Sequence, residues 1–334
     1  MGSEMCIRDR GWVRVAMFGA MAALLVVSLA IPEAFGDLGL LFAISYAVFR
    51  AGQLALFWIA SADEPELRNS IAGFGTSTLF GLAMLVVATT LDGTAQLVVF
   101  ALAISLDLLG PYVRGSSGWQ LMPEHFSERH RLIIIIALGE SIVAIGVGAE
   151  SVDLTTGIIV AAVAGIALAA AQWWAYFDVV ALVAGRRLAK LQGRERNEMA
   201  RDSYSYLHFP MIAGIVLVAL AEKKTIGHTS EALKIVPAVA LLGGLAMYLL
   251  AHVAFRYRNI HSLNRGRLLV ALLYLALIPL AVEIPALAMT LIATAIFCAL
   301  IAYEAIHFAE SRNRIRHELA ADLEPPPDSR AQTF

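Results

Sequence analysis

The chain has 334 residues, 59% of them hydrophobic and 16% charged, with a mean hydropathy of +0.72. This balance excludes a soluble globular protein of ordinary make-up and leaves room for about ten membrane helices of about 20 residues each. Two cysteines, Cys6 and Cys298, give neither a disulfide framework nor a metal set, and with a net charge of −2 the basic residues flank helices instead of forming a nucleic-acid patch.

Residues 1–10, Met-Gly-Ser-Glu-Met-Cys-Ile-Arg-Asp-Arg, are polar and lack the apolar run of a signal peptide. They resemble a translated sequencing-adapter scar and are set aside as a non-native segment, with the helical domain running over 11–317. Ten apolar segments follow, at about 12–31, 38–60, 70–89, 94–113, 131–149, 155–182, 206–221, 235–256, 267–283 and 285–306. The tail over 318–334, with Glu-Pro-Pro-Pro-Asp, reads as a disordered cytoplasmic extension.

Lys and Arg alternate between the two sets of flanks. Nineteen, including Arg68, Arg114, the cluster from Arg186 to Arg201, and Arg256 to Arg267, fall on one side; three (Lys223, Lys224, Lys234) fall on the other. The positive-inside rule makes the richer side cytoplasmic, with both termini there. The chain also repeats itself. Gln53-Leu-Ala-Leu-Phe57 matches His252-Val-Ala-Phe-Arg256 at an offset of 199, Arg68 meets Arg267 at the same offset, and Asp107 corresponds loosely to Glu304 at 197. Glu33 corresponds more weakly to Glu222. Segments 1–4 therefore pair with 7–10, and segments 5 and 6 lack counterparts. The expected fold is all-α: a polytopic helical bundle of two pseudo-repeated halves, with the first two helices of the first half missing.

Glu140 is the sharpest functional candidate. It lies nine residues beyond Arg131 in Leu-Ile-Ile-Ile-Ile-Ala-Leu-Gly-Glu140-Ser-Ile-Val, about 13 Å along the axis and close to the bilayer centre. A carboxylate there costs on the order of 3 kcal/mol or more unless it is protonated, paired or facing water. It is expected to face the protein interior, with Arg50, also near mid-depth, as first candidate partner. The alternative is that each faces a polar cleft of its own. Ser141 adjoins Glu140, and Asp107 stands three residues before Gly110-Pro111, where a packing role beside a kink competes with a pathway role. Trp174, among Trp173, Tyr176 and Phe177, either belongs to an aromatic belt or lines a pocket beside Glu140. Asp178, Glu304, His208 and His252 lie near the cytoplasmic boundary, where interfacial or structural roles are the simpler readings. His125 and Glu128 stand three apart, but no second ligand pair accompanies them; with Arg129 they form a polar approach to segment 5, and no metal is expected.

Five stretches carry a resemblance. Ile31-Pro-Glu-Ala-Phe-Gly36, Pro123-Glu-His-Phe-Ser-Glu-Arg129, Leu138-Gly-Glu-Ser-Ile-Val143, Trp173-Trp-Ala-Tyr-Phe-Asp178 and Tyr204-Ser-Tyr-Leu-His208 look like the bacterial low temperature requirement protein A (LtrA) family, over about residues 12–317. That resemblance implies a multi-pass protein of the bacterial inner membrane, but the family name records a cold-growth requirement and no reaction. The family's opening Glu-Leu-Phe-Phe-Asp-Leu-Val-Phe helix and Trp-rich second helix are absent here, as the repeat and the scar also imply. Two function classes lead: a transporter or channel for a small solute or ion, and a structural or assembly protein without a solute path. A membrane-embedded enzyme is a third. It is disfavoured because no HExxH, no G-x-S-x-G, no phosphate-cradling loop and no cofactor motif is present. The lipid bilayer is the one partner the sequence names, and it leaves the oligomeric state open.

Overall fold

A computed structural model describes residues 11–114, 118–150 and 152–310; the adapter-like residues 1–10 and the tail over 318–334 lie outside them. Among the described residues the fold is built of helices: α1 (Gly11–Ala30), α2 (Gly39–Ala60), α3 (Pro65–Ala88), α4 (Gly93–Arg114), α5 (Pro123–Ala149), α6 (Thr156–Phe177), α7 (Val180–Lys190), α8 (Gly193–Met199), α9 (Leu207–Gly227), α10 (Ile235–Ile260), α11 (Arg265–Ala281) and α12 (Ala286–His307). Among the described residues nine helices are long and apolar enough to cross a membrane. The remaining apolar segment of the sequence, at 267–283, corresponds to the 17-residue α11. This is a multi-pass membrane protein with an all-α fold.

The helices form two compact units. Unit 1 holds α1–α4 and α8; unit 2 holds α5–α7 and α9–α12. Four long helices against six is the division that the repeat implies. In unit 1, α1 packs on α2, α2 on α3 and α3 on α4; in unit 2 the same sequential order runs through α9, α10, α11 and α12. The two helices without counterparts, α5 and α6, pack on α9, and α6 packs on α12.

Lipid supplies no hydrophobic force between helices, so close backbone approach at small residues has to hold them. In unit 1, a Cβ on Gly81 would lie 2.7 Å from the Ala103 carbonyl oxygen, and one on Gly110 would meet the Ser77 side chain. Gly81 follows Thr78 by three residues and Gly110 follows Asp107 by three, so the contact that brings α3 against α4 also brings those polar side chains together. In unit 2, a Cβ on Gly214 would stand 2.6 Å from the Gly244 carbonyl oxygen and one on Gly244 would stand 2.8 Å from that of Gly214. Gly214→Ala is therefore expected to cost about 1–3 kcal/mol through overpacking. Thermal unfolding of the detergent-solubilised protein reads this out, and an unchanged transition temperature would refute the close crossing of α9 and α10.

Two π-helical stretches, Ala200–Tyr206 and Val239–Gly243, interrupt the regular α-helical ladder. The first precedes Pro210, which lacks an N–H for the helical ladder. The His208 ring nitrogen Nδ1 lies 2.9 Å from the Ser203 carbonyl oxygen, and Nε2 lies 2.8 Å from the Tyr176 hydroxyl, so both ring nitrogens are occupied in the core. At the end of α10, His261 adopts a left-handed conformation (φ 49°) that ends the helix just before Asn264 caps α11 by accepting from the Arg267 N–H.

Candidate functional site

Glu140 does not sit where the sequence suggested. Along α5 the buried stripe is Ile134, Ala137, Leu138, Ser141, Ala144, Ile145 and Gly148. Glu140 is exposed, on the same side as the exposed Ile136 and Val143, and it makes no hydrogen bond or ion pair among the described residues. Its neighbour Ser141 is fully buried, with an unpartnered hydroxyl. The expectation of an interior, partnered Glu140 is thus corrected. Ile and Leu surround all of α5, and its interior face is marked instead by small side chains, one residue away from the acid.

Arg50 is paired, but with Asp107 instead of Glu140. Its Nη2 donates to Asp107 Oδ1 at 2.5 Å and its Nε donates to the same oxygen at 3.1 Å. Thr78 donates to Oδ1 at 2.8 Å, Tyr46 donates to Oδ2 at 2.5 Å, and Arg50 Nη1 also donates to Gln53. This cluster joins α2, α3 and α4 inside unit 1. Arg50 reaches it from one turn before Gln53, and the glycine contacts between α3 and α4 let Thr78 close on the carboxylate.

Unit 2 contains a second Arg–carboxylate cluster, and this one opens onto a cavity. Arg267, at the start of α11, grips Glu304 of α12 with two parallel bonds: Nε to Oε1 at 2.9 Å and Nη2 to Oε2 at 2.7 Å. Asn264 Nδ2 donates to Oε1 at 2.7 Å, and Arg267 Nη2 donates to the Ala175 carbonyl at 3.2 Å. The remaining guanidinium nitrogen, Nη1, lies 2.9 Å from His252 Nδ1. Arginine has donors only, so Nδ1 must accept, and the imidazole is the neutral tautomer with its hydrogen on Nε2. That Nε2–H is buried and has no partner; nor have Arg256 Nε and Asn259 Nδ2, although Asn259 Oδ1 accepts from Ser203 at 2.7 Å.

All four of His252, Arg256, Asn259 and Arg267 line a cavity of about 360 Å³ in unit 2, together with Arg187 of α7, Trp174 and Asp178 of the α6 end, and Phe255, Glu304 and Phe308. The size is that of a small-molecule site. Its wall carries three guanidinium groups against two carboxylates, and three of its residues hold donors with nothing to give to. Trp174 does line a pocket, but the acid in that pocket is Glu304 and not Glu140. Asp178 is half-buried in the same wall. His125, Glu128 and Arg129 stay on the exposed side of the first turns of α5, where His125 Nδ1 lies 3.7 Å from Glu128 Oε2.

The LtrA family model, described as bacterial low temperature requirement A protein, matches residues 6–302. The chain belongs to the LtrA family. The chain is also 28% identical over 256 residues to an uncharacterized protein, RA0937, of Rhizobium meliloti (strain 1021), covering 71% of this chain and 60% of that protein. The chain thus spans less than two thirds of that relative's length. No solved structure matches it. Neither name specifies a chemistry for LtrA proteins, so the residues of the cavity carry the functional argument.

Sequence reading missed Arg267, because an arginine at a helix start looks like a positive-inside flank. A signal was present: Asn264 three residues ahead marks a capped start, which places Arg267 inside α11 and within reach of Glu304. The correspondence of Gln53 with His252 and of Asp107 with Glu304 also has a structural echo. In each unit the acid of the last helix and the polar side chain of the second meet on one guanidinium, supplied by α2 in unit 1 and by α11 in unit 2.

Proposed function

We propose that this protein is a transporter or channel for a small anionic solute, and that the unit 2 cavity is where the solute binds. The carrying observation is a cavity wall in which the guanidinium-bearing Arg187, Arg256 and Arg267 stand against only two carboxylates, Asp178 and Glu304. Charge-assisted hydrogen bonds from guanidinium groups are among the stronger ones, and an acceptor-rich ligand such as a carboxylate or phosphate is what such a wall suits. The paired Arg267 and Glu304 hold the floor of the cavity in place, and Trp174, Phe255 and Phe308 give it apolar sides. Transport fits this arrangement better than catalysis, because the wall offers donors and a held ion pair but no nucleophile set beside a base. The basic residues at its rim, Arg187 and those over 256–267, support by the positive-inside rule a mouth on the cytoplasmic side of the inner membrane, with both termini on that side.

The test uses full-length protein in proteoliposomes loaded with succinate or inorganic phosphate. Uptake of the labelled anion is expected, and Arg256→Gln is expected to weaken it about tenfold or more, the worth of one charge-assisted hydrogen bond. A cysteine at Ser262, whose hydroxyl accepts from Arg256 Nη2 at 3.3 Å, is expected to react with an impermeant maleimide only in inside-out vesicles. Labelling only from the outside would overturn the sidedness. Equal uptake by wild type and Arg256→Gln would remove the cavity from the path.

A further inference from the structure

One buried acid is used by neither cluster. Glu222 lies on α9, five residues before the helix ends at Gly227, and it is 2% exposed. Neither of its carboxylate oxygens has a hydrogen-bond partner. The sequence gives Glu222-Lys-Lys the look of a flank beyond the span, but the helix continues, leaving Lys223 and Lys224 exposed and turning Glu222 inward. It packs at Gly165 of α6, where a Cβ would come within 3.1 Å of Glu222 Oε1 and 2.7 Å of Ile145 Cδ1. Glycine there is what makes space for the carboxyl group.

The surroundings decide what such a group can hold. Ile145 of α5 and Gly165 of α6 meet at the carboxyl group, Gly148 of α5 lies against the Lys223 backbone and Ile226, and α12 meets α9 through Thr290, whose hydroxyl lies 3.4 Å from that of Thr225. None of these side chains is ionisable. An apolar cluster of Ile145, Ile158, Ala161 and Ile226 covers the end of the helices beyond Glu222. A metal cation requires several oxygen ligands around it, and the carboxylate oxygens have not even one hydroxyl within hydrogen-bonding distance. An ionised, unpaired carboxylate in this setting carries a large desolvation cost that one proton removes.

We propose that Glu222 is a proton-binding site, and that its proton is the coupling ion of the transport cycle. The second half rests on the transport reading given above; the first half does not. In the closed packing the carboxyl group holds its proton under the apolar cluster. When unit 2 opens that cluster to water, the O–H bond breaks, the proton passes to water, and the carboxylate remains until the packing closes again.

The test has two arms on the full-length protein. Infrared spectroscopy of nanodisc-embedded wild type at neutral pH is expected to show a protonated-carboxyl C=O band that is absent from Glu222→Gln. A wild-type spectrum identical to that of the variant overturns proton binding, as does a carboxylate band that shifts on adding sodium. In proteoliposomes, an inward pH gradient is expected to accelerate succinate or phosphate uptake severalfold in wild type and not at all in Glu222→Gln, while solute exchange without a gradient persists in the variant. Equal gradient stimulation in both overturns coupling. No uptake by wild type would defeat the transport reading and the coupling with it, and the infrared arm would still decide whether Glu222 carries a proton.

Discussion

Replacing Arg267 with methionine is expected to destabilise the protein by about 3–5 kcal/mol, the usual result of removing one partner from a buried ion pair. Four interactions disappear together: the two-bond grip on Glu304, the bond to the Ala175 carbonyl and the contact with His252. Glu304 keeps only Asn264, and His252 Nδ1 loses its donor. Arg267→Lys is no rescue, because an ammonium cannot hold both carboxylate oxygens and the imidazole in one plane. The double variant Arg267→Met with Glu304→Gln is expected to recover much of the loss, since it leaves no lone buried charge. Thermal unfolding in detergent reads all three variants, and a single Arg267→Met variant as stable as wild type would show that the pair is not structural. The same variant is expected to abolish anion uptake, because His252 and Glu304 lose the group that orients them.

The fold was legible because each span is a long apolar run bounded by polar or charged residues. These signals need no knowledge of which way a side chain points. Glu140 shows where that reading fails. Segment 5 is apolar on every face, so hydropathy carries no 3.6-residue period, and depth alone cannot tell the lipid side from the protein side. The period that does survive is one of size: Ala137, Ser141, Ala144 and Gly148 recur at three to four residues and line the buried face. Glu140 is off that stripe and Ser141 is on it. On α9 the stripe Gly214, Val218, Ala221 and Thr225 likewise flanks Glu222, which a boundary drawn at residue 221 had placed in a loop. Arg267 was hidden for the opposite reason. It obeys the sidedness rule and also makes the central ion pair, and only the three-dimensional approach of α11 and α12 separates these roles.

The unit 1 cluster responds to the same rule with a different weighting. Asp107→Leu is expected to cost about 3–5 kcal/mol, because Asp107 is the common acceptor for Arg50, Thr78 and Tyr46. Its removal leaves a guanidinium held only by Gln53 and Thr78 between three apolar helices. Asp107→Asn keeps the shape and an acceptor oxygen, and its cost is expected to be smaller than that of leucine. Arg50→Met combined with Asp107→Leu is expected to cost less than the sum of the two single changes, by the interaction energy of a buried pair. Thermal unfolding of the four proteins in one detergent closes this cycle, and strict additivity would mean that Arg50 and Asp107 do not meet. The cluster has every oxygen of its carboxylate occupied, whereas the cavity beside Arg267 retains unpartnered donors on three residues. Anion uptake measured on Asp107→Asn is therefore expected to stay within a few-fold of wild type, provided the variant is folded: the charged cluster of unit 1 holds helices together, and that of unit 2 holds a site open.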